Sequence, residues 1–125
     1  MQIVKKLMML SVAVDDMPKA KAFYEETLGL EKKMEYRQDD KNWWVELMLP
    51  DDGAHLTLST YLGNMKPGTL VLYFSTDDLE ASHKELSDKG LKLTEIADDL
   101  HGPGSGTKWF SLEDPEGNKI HMEQA

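Results

Sequence analysis

The chain contains no cysteine, which excludes disulfides, zinc–thiolate centres and cysteine nucleophiles. It lacks any run approaching the roughly 18 consecutive apolar residues of a membrane helix, so no membrane partner is expected. Positive charge is scarce: 14 Lys and Arg stand against 23 Asp and Glu, a formal net charge of −9. Nucleic-acid binding draws much of its affinity from cations at phosphates, so no nucleic-acid partner is expected. The opening stretch MQIVKKLMMLSVAVDD has a basic pair and a short apolar run, but it alternates like a strand and no small-residue cleavage site follows. It reads as a first strand. Without an export signal, the cytoplasm is the expected location.

Hydrophobic residues make up 40% and charged residues 30% of the 125, enough apolar material for one ordinary globular domain. Five Asp–Asp pairs, at 15–16, 39–40, 51–52, 77–78 and 98–99, fall where turns or helix starts are expected. The acidic balance serves solubility and is compatible with a cationic ligand.

Periodicity gives the order of elements. A strand over 7–14 is followed by Asp15 and Asp16, whose side-chain oxygens are candidate N-cap acceptors, and Pro18 in the first helical turn. Met17, Ala20, Phe23, Tyr24 and Leu28 make one apolar helical face, and Gly29 is placed to end that helix. Strands are predicted over 32–37, 43–49 and 54–60, joined by turns at DDKN (39–42) and PDDG (50–53), and 61–68 reads as a linker. The order then recurs: a strand over 69–75, a capping box from Asp77 and Glu80, a helix ended by Gly90, and strands over 91–96, 108–113 and 119–124. VDDM (14–17) matches TDDL (76–79), and WVELMLPDDG (44–53) matches WFSLEDPEG (109–117). The chain is therefore read as two βαβββ modules, 1–63 and 64–125, within a single domain.

VDDMPKAKAFYEETLGL (14–30) and DPEGNKIHME (114–123), with the repeat between them, resemble the glyoxalase / bleomycin-resistance / extradiol dioxygenase (vicinal oxygen chelate) superfamily. That resemblance implies an α+β fold of two curled mixed sheets forming an open cup, and frequent homodimers. Metalloenzymes of the superfamily place ligands at four positions, which carried over here are Met9, Thr57, Val71 and His121. Only His121 is a conventional ligand for a divalent ion: thioether Met9 is a soft donor, Val71 has no donor, and Thr57 is weak without carboxylates. No metal and no cofactor are therefore expected, a non-standard divalent site being the alternative.

Alternation puts Lys119, His121 and Glu123 on one strand face and His55, Thr57 and Ser59 on the equivalent one. His121 with Glu123 offers a polar hook, or a general base if a carboxylate orients the imidazole. His83 and His101 read as solvent-exposed. Trp43, Trp44, Tyr73, Trp109 and Phe110 are candidates for an aromatic lining; Trp44 and Trp109 are equally readable as a structural pair. HGPGSGT (101–107) reads as a lid loop. Taken with the resemblance, the candidate ligand-binding residues are Met9, Trp44, His55, Thr57, Val71, Tyr73, Trp109, His121 and Glu123. The expected function is metal-independent binding of a cationic or aromatic small molecule. The alternative is a metal-dependent lyase, isomerase or dioxygenase.

Overall fold

In the computed structural model, which describes all 125 residues, apolar alternation after Leu7 gives β1 (Met9–Ala13). Asp16 then accepts a hydrogen bond from the Lys19 amide at 3.1 Å and starts α1 (Met17–Lys21), with Pro18 in its first turn. The helix continues as a π-helical turn over Ala22–Thr27, closed by a bond from the Leu28 amide to the Phe23 carbonyl. The i→i+5 bonding brings Phe23 and Tyr24 inward together, edge to face with ring centroids 5.1 Å apart. Gly29, at φ 79°, turns the chain out of the helix in a conformation that side-chain-bearing residues resist. Then follow β2 (Glu31–Asp39), β3 (Asn42–Met48) and β4 (His55–Ser59).

These four strands form a mixed sheet in the order β1-β4-β3-β2, with β1 parallel to β4 and the other pairs antiparallel. One face carries Val12, Val45, Leu47, Leu56 and Leu58, which form a core with Met17, Ala20 and Tyr24 of the helix. The other face carries Met9, Ser11, His55, Thr57, Glu46 and Trp44.

A second compact unit, Thr69–Ala125, follows the first, Met1–Gly68. It holds β5 (Val71–Thr76), α2 (Leu79–Asp88), β6 (Trp109–Glu113) and β7 (Lys119–Gln124). Its sheet is also mixed, in the order β5-β7-β6, with β5 and β7 parallel. The registers of the two sheets match: Met9 pairs with His55 as Val71 pairs with Lys119, and Ser11 with Thr57 as Tyr73 with His121. The core face carries Leu72, Phe110, Leu112, Ile120 and Met122 against Leu79 and Leu86 of α2. The α+β class and the pair of small mixed sheets agree with the expectation.

Three local expectations need correction. Residues 91–96 do not form a strand. The Thr94 amide donates to the Ser111 carbonyl at 3.0 Å, but the Ser111 amide bonds the Thr94 side-chain Oγ1 at 2.8 Å in place of a backbone carbonyl, and full backbone pairing is confined to the Ala97–Trp109 bridge. The ladder is therefore interrupted where the first unit has the nine-residue β2. The cap of α2 is Asp78, accepting from the Ala81 amide at 3.1 Å, and not an Asp77–Glu80 box. Gln124 explains the shift: its Nε2 donates to the Asp77 carbonyl at 2.6 Å and its Oε1 accepts from the Leu79 amide at 2.9 Å. His83 is half-buried, set edge-on to Phe110 at 4.9 Å, with Nε2 2.9 Å from the Thr94 carbonyl oxygen.

The DPEGN turn acts as a clasp. Asp114 Oδ1 accepts from the amides of Glu116 and Asn118, and its Oδ2 accepts from Asn118 Nδ2 at 2.8 Å. Asn118 Oδ1 accepts in turn from the Leu70 amide at 2.9 Å, tying the entry of β5 to that of β7.

Candidate functional site

In the second unit, the face turned away from α2 is built by the parallel β5–β7 register and the antiparallel β6–β7 register. Tyr73, His121 and Ser111 lie side by side across the three strands, with Trp109 opposite Glu123 in the next row. The His121 ring stacks on Trp109 at a centroid distance of 4.9 Å and 21° between planes. On its other side lies Tyr73, also at 4.9 Å and tilted by 55°. Tyr73 is 62% exposed and Val71 50%, so this aromatic row is open on the β5 side.

The chemistry of His121 is unusual. Its Nδ1 is buried and has no hydrogen-bond partner within the protein. Burial, and then the positive charge of Lys119, hold the imidazole below its ordinary pKa of 6.5, so it is neutral at pH 7. No carboxylate orients it. Glu123 instead lies 3.7 Å from Nε2 of the exposed His101, which the glycine-rich loop brings over the sheet edge. The same loop supplies Asp99, which accepts from Trp109 Nε1 at 2.9 Å and fixes the indole.

On the equivalent face of the first unit, Trp44 is opposite Ser59 and Glu46 opposite Thr57. Thr57 is fully buried and shares a 2.8 Å hydrogen bond with Ser11 Oγ. Glu46, 3% exposed, holds His55 through Nδ1 and lies 3.9 Å from Lys33 Nζ. Met9 is 45% exposed beside His55. Sequence reasoning singled out His55 and, as a general-acid candidate, Glu46, but did not pair them. The signal was present in the hairpin: counting back from the turn at 50–53 puts Glu46 beside His55 on one face.

Two of the aromatic candidates lie elsewhere. Phe110 is buried in the core face of the second unit. Trp43 faces the helix side of the first unit, where its Nε1 donates to Glu35 at 2.7 Å and Arg37 stacks 4.2 Å from the ring centroid. Lys21 and Lys32 also bind Glu35, at 2.8 and 2.9 Å. Burial pushes the Glu35 carboxyl up, but the hydrogen bonds from Lys21, Lys32 and Trp43 outweigh it and hold it at about 2. Beside this cluster a cavity of about 400 Å³ is lined by Pro18, Lys21, Ala22, Glu25, Glu26 and Trp43.

The four inherited ligand positions do not fit a divalent metal. In the first unit Met9 is a thioether and the Thr57 hydroxyl is engaged by Ser11; in the second Val71 has no donor and His121 has no carboxylate or second imidazole beside it. Soft or absent donors in those places oppose magnesium, manganese, zinc or iron coordination.

The repeat, the paired mixed sheets and the DPEGN clasp define a paired-module α+β protein of the vicinal oxygen chelate type. The sequence profile of the Glyoxalase/Bleomycin resistance protein/Dioxygenase superfamily matches residues 6–122, and the chain belongs to that superfamily. Among solved structures it is similar to TnmS3, an antibiotic binding protein from Streptomyces sp. CB03234, with 26% identity, TM-score 0.83, and coverage of 99% of this chain and 98% of that one. It is also similar to a glyoxalase/bleomycin resistance protein from the same organism, with 28% identity, TM-score 0.75, and coverage of 95% and 100%. A superfamily member from Sphaerobacter thermophilus DSM 20745, 24% identical with TM-score 0.77 over 98% of each chain, shares the fold. No curated protein sequence matches the chain.

Proposed function

We propose that this protein binds a small planar organic molecule, without a metal ion, on the aromatic face of its second unit. The observation that carries this reading is the His121 ring set between Trp109 and Tyr73 with a buried Nδ1 that the protein leaves unbonded. Stacked rings favour a flat guest, and the electron-rich faces of Trp109 and Tyr73 together with the −9 net charge favour a cationic one. A guest that hydrogen-bonds Nδ1 satisfies a polar atom otherwise costly to bury. The antibiotic-binding activity stated for TnmS3 supports the same class of ligand. The protein acts as a cytoplasmic homodimer: β1 and β5 are both sheet edges, and Leu10 and Val71 on them are exposed.

The test is a thermal-shift and tryptophan-fluorescence titration with ethidium, a planar aromatic cation, in buffer containing a strong chelator. Saturation at a hundred times Kd raises stability by about 2.7 kcal/mol, and Trp109→Ala removes both the shift and the fluorescence change. Binding that requires added zinc, manganese or nickel, or that survives Trp109→Ala unchanged, overturns the reading and favours a metal-dependent enzyme.

A further inference from the structure

The polar face of the first unit carries a second chemistry that the aromatic site does not use. Met9 on β1 is the register partner of His55 on β4. The paired β3–β4 residues end at Leu47 opposite Leu56, and continuing that register one step, to the last residue of β3 and the first of β4, puts Met48 across from His55 on its other side. Cross-strand partners project to the same face, and neighbouring strands lie about 4.8 Å apart. The register thus sets a methionine on the strand to each side of His55, at a spacing that a flexible thioether side chain can span.

His55 is prepared for coordination. Glu46, buried in the sheet, holds Nδ1 and leaves Nε2 as the ring's ligand atom. A carboxylate behind an imidazole in this way fixes the tautomer and orients the ring towards a metal. Met9 is exposed, and Met48 and His55 are half-buried, so an ion has access. The carboxylate is already engaged by His55 and neighboured by Lys33, which leaves two neutral sulfurs and one nitrogen as the donor set. Thioether-rich sets select soft monovalent copper over magnesium, manganese or zinc. We propose that Met9, His55 and Met48 form a copper(I) site, separate in residues and in chemistry from the aromatic face of the second unit.

The test is an anaerobic titration of the intact protein against the copper(I)–bicinchoninate complex, read by the absorbance of the chelate. The wild-type protein is expected to withdraw one equivalent of copper(I), with a sulfur shell in the X-ray absorption spectrum. Met9→Leu and Met48→Leu preserve volume and fold; each weakens binding tenfold or more, and the double variant abolishes it. Glu46→Gln weakens binding by about 10–100-fold. Met65→Leu, at an exposed position in the 61–68 linker outside strands β1, β3 and β4, leaves affinity unchanged. Failure to compete with the chelator, or a double variant that still takes up one equivalent, overturns the proposal. Ethidium binding is read separately, so either result stands apart from the function proposed above.

Discussion

At the scale of single residues, two titrating groups carry opposite instructions. His121 is held below its ordinary pKa of 6.5 by burial and by Lys119. Its neutral form is favoured in the fold, so this contribution to stability is whole above pH 6.5 and is lost as pH falls towards the folded pKa. Lys119→Met removes the second cause, and the His121 resonances in an NMR titration are expected to move to a midpoint nearer 6.5; an unchanged midpoint leaves burial as the only cause. Glu35 has its carboxyl at about 2 against an ordinary 4.5. Its ion pairs stabilise fully above pH 4.5 and fade as pH falls to about 2, a contribution of about 1 kcal/mol once solvent screening of these part-exposed groups is discounted. Glu35→Gln is expected to lower stability at pH 7 by an amount of that order and to flatten the urea-unfolding free energy between pH 5 and 3. A variant whose acid limb matches the wild type contradicts the assignment.

At the scale of elements, the second unit depends on side chains standing in for ladder bonds. Asn118, 1% exposed, joins Asp114 to Leu70, and Asn118→Ala strands those partners in the interior. The expected loss is about 2–3 kcal/mol in chemical denaturation. A loss under 0.5 kcal/mol means that the clasp is dispensable. This turn was legible in the sequence because its chemistry is local: Asp, Gly and Asn fall at fixed offsets. The start of α1, the Gly29 and Gly90 stops and the hairpins were legible for the same reason, whereas the cap of α2 fell on Asp78 and not on the Asp77–Glu80 box. Residues 91–96 were not. LKLTEI alternates as a strand does, but at Thr94 only one backbone bond to Ser111 forms, the return bond from the Ser111 amide going to the Thr94 hydroxyl. Thr94→Val leaves that amide without the hydroxyl acceptor, and the Ser111 amide is expected to exchange faster with deuterium. The π-helical turn was likewise invisible, because an i, i+3, i+4 pattern does not distinguish 3.6 from 4.4 residues per turn. At the site, alternation correctly grouped Lys119, His121 and Glu123 on one face, but the stacking of His121 on Trp109 and the Glu46–His55 bond depend on the pairing register of the β6–β7 and β3–β4 hairpins, which alternation within one strand does not set.

At the scale of the whole molecule, the governing contrast is between edge and charge. Both β1 and β5 end their sheets with one side unpaired, and Leu7, Met8, Leu10 and Val71 are exposed at or beside those edges. Unpaired edges bearing apolar side chains invite association with a second copy. Each copy carries a net charge of −9, so like-charge repulsion opposes that association and salt screens the repulsion. Two signed outcomes follow for sedimentation velocity at micromolar protein. The wild-type chain is expected to run at twice its sequence mass, and raising the salt from about 10 to 300 mM is expected to tighten the proposed dimer, because the Debye length contracts from about 30 Å to under 8 Å. Leu10→Glu adds charge at an edge position that is 39% exposed but shares the face of Leu56, so it costs some folding stability, and it is expected to give a monomer that still melts cooperatively at low protein concentration. A wild-type chain that sediments as a monomer at both salt concentrations, or a Leu10→Glu variant that dimerises as before, removes the β1 edge as the surface of association.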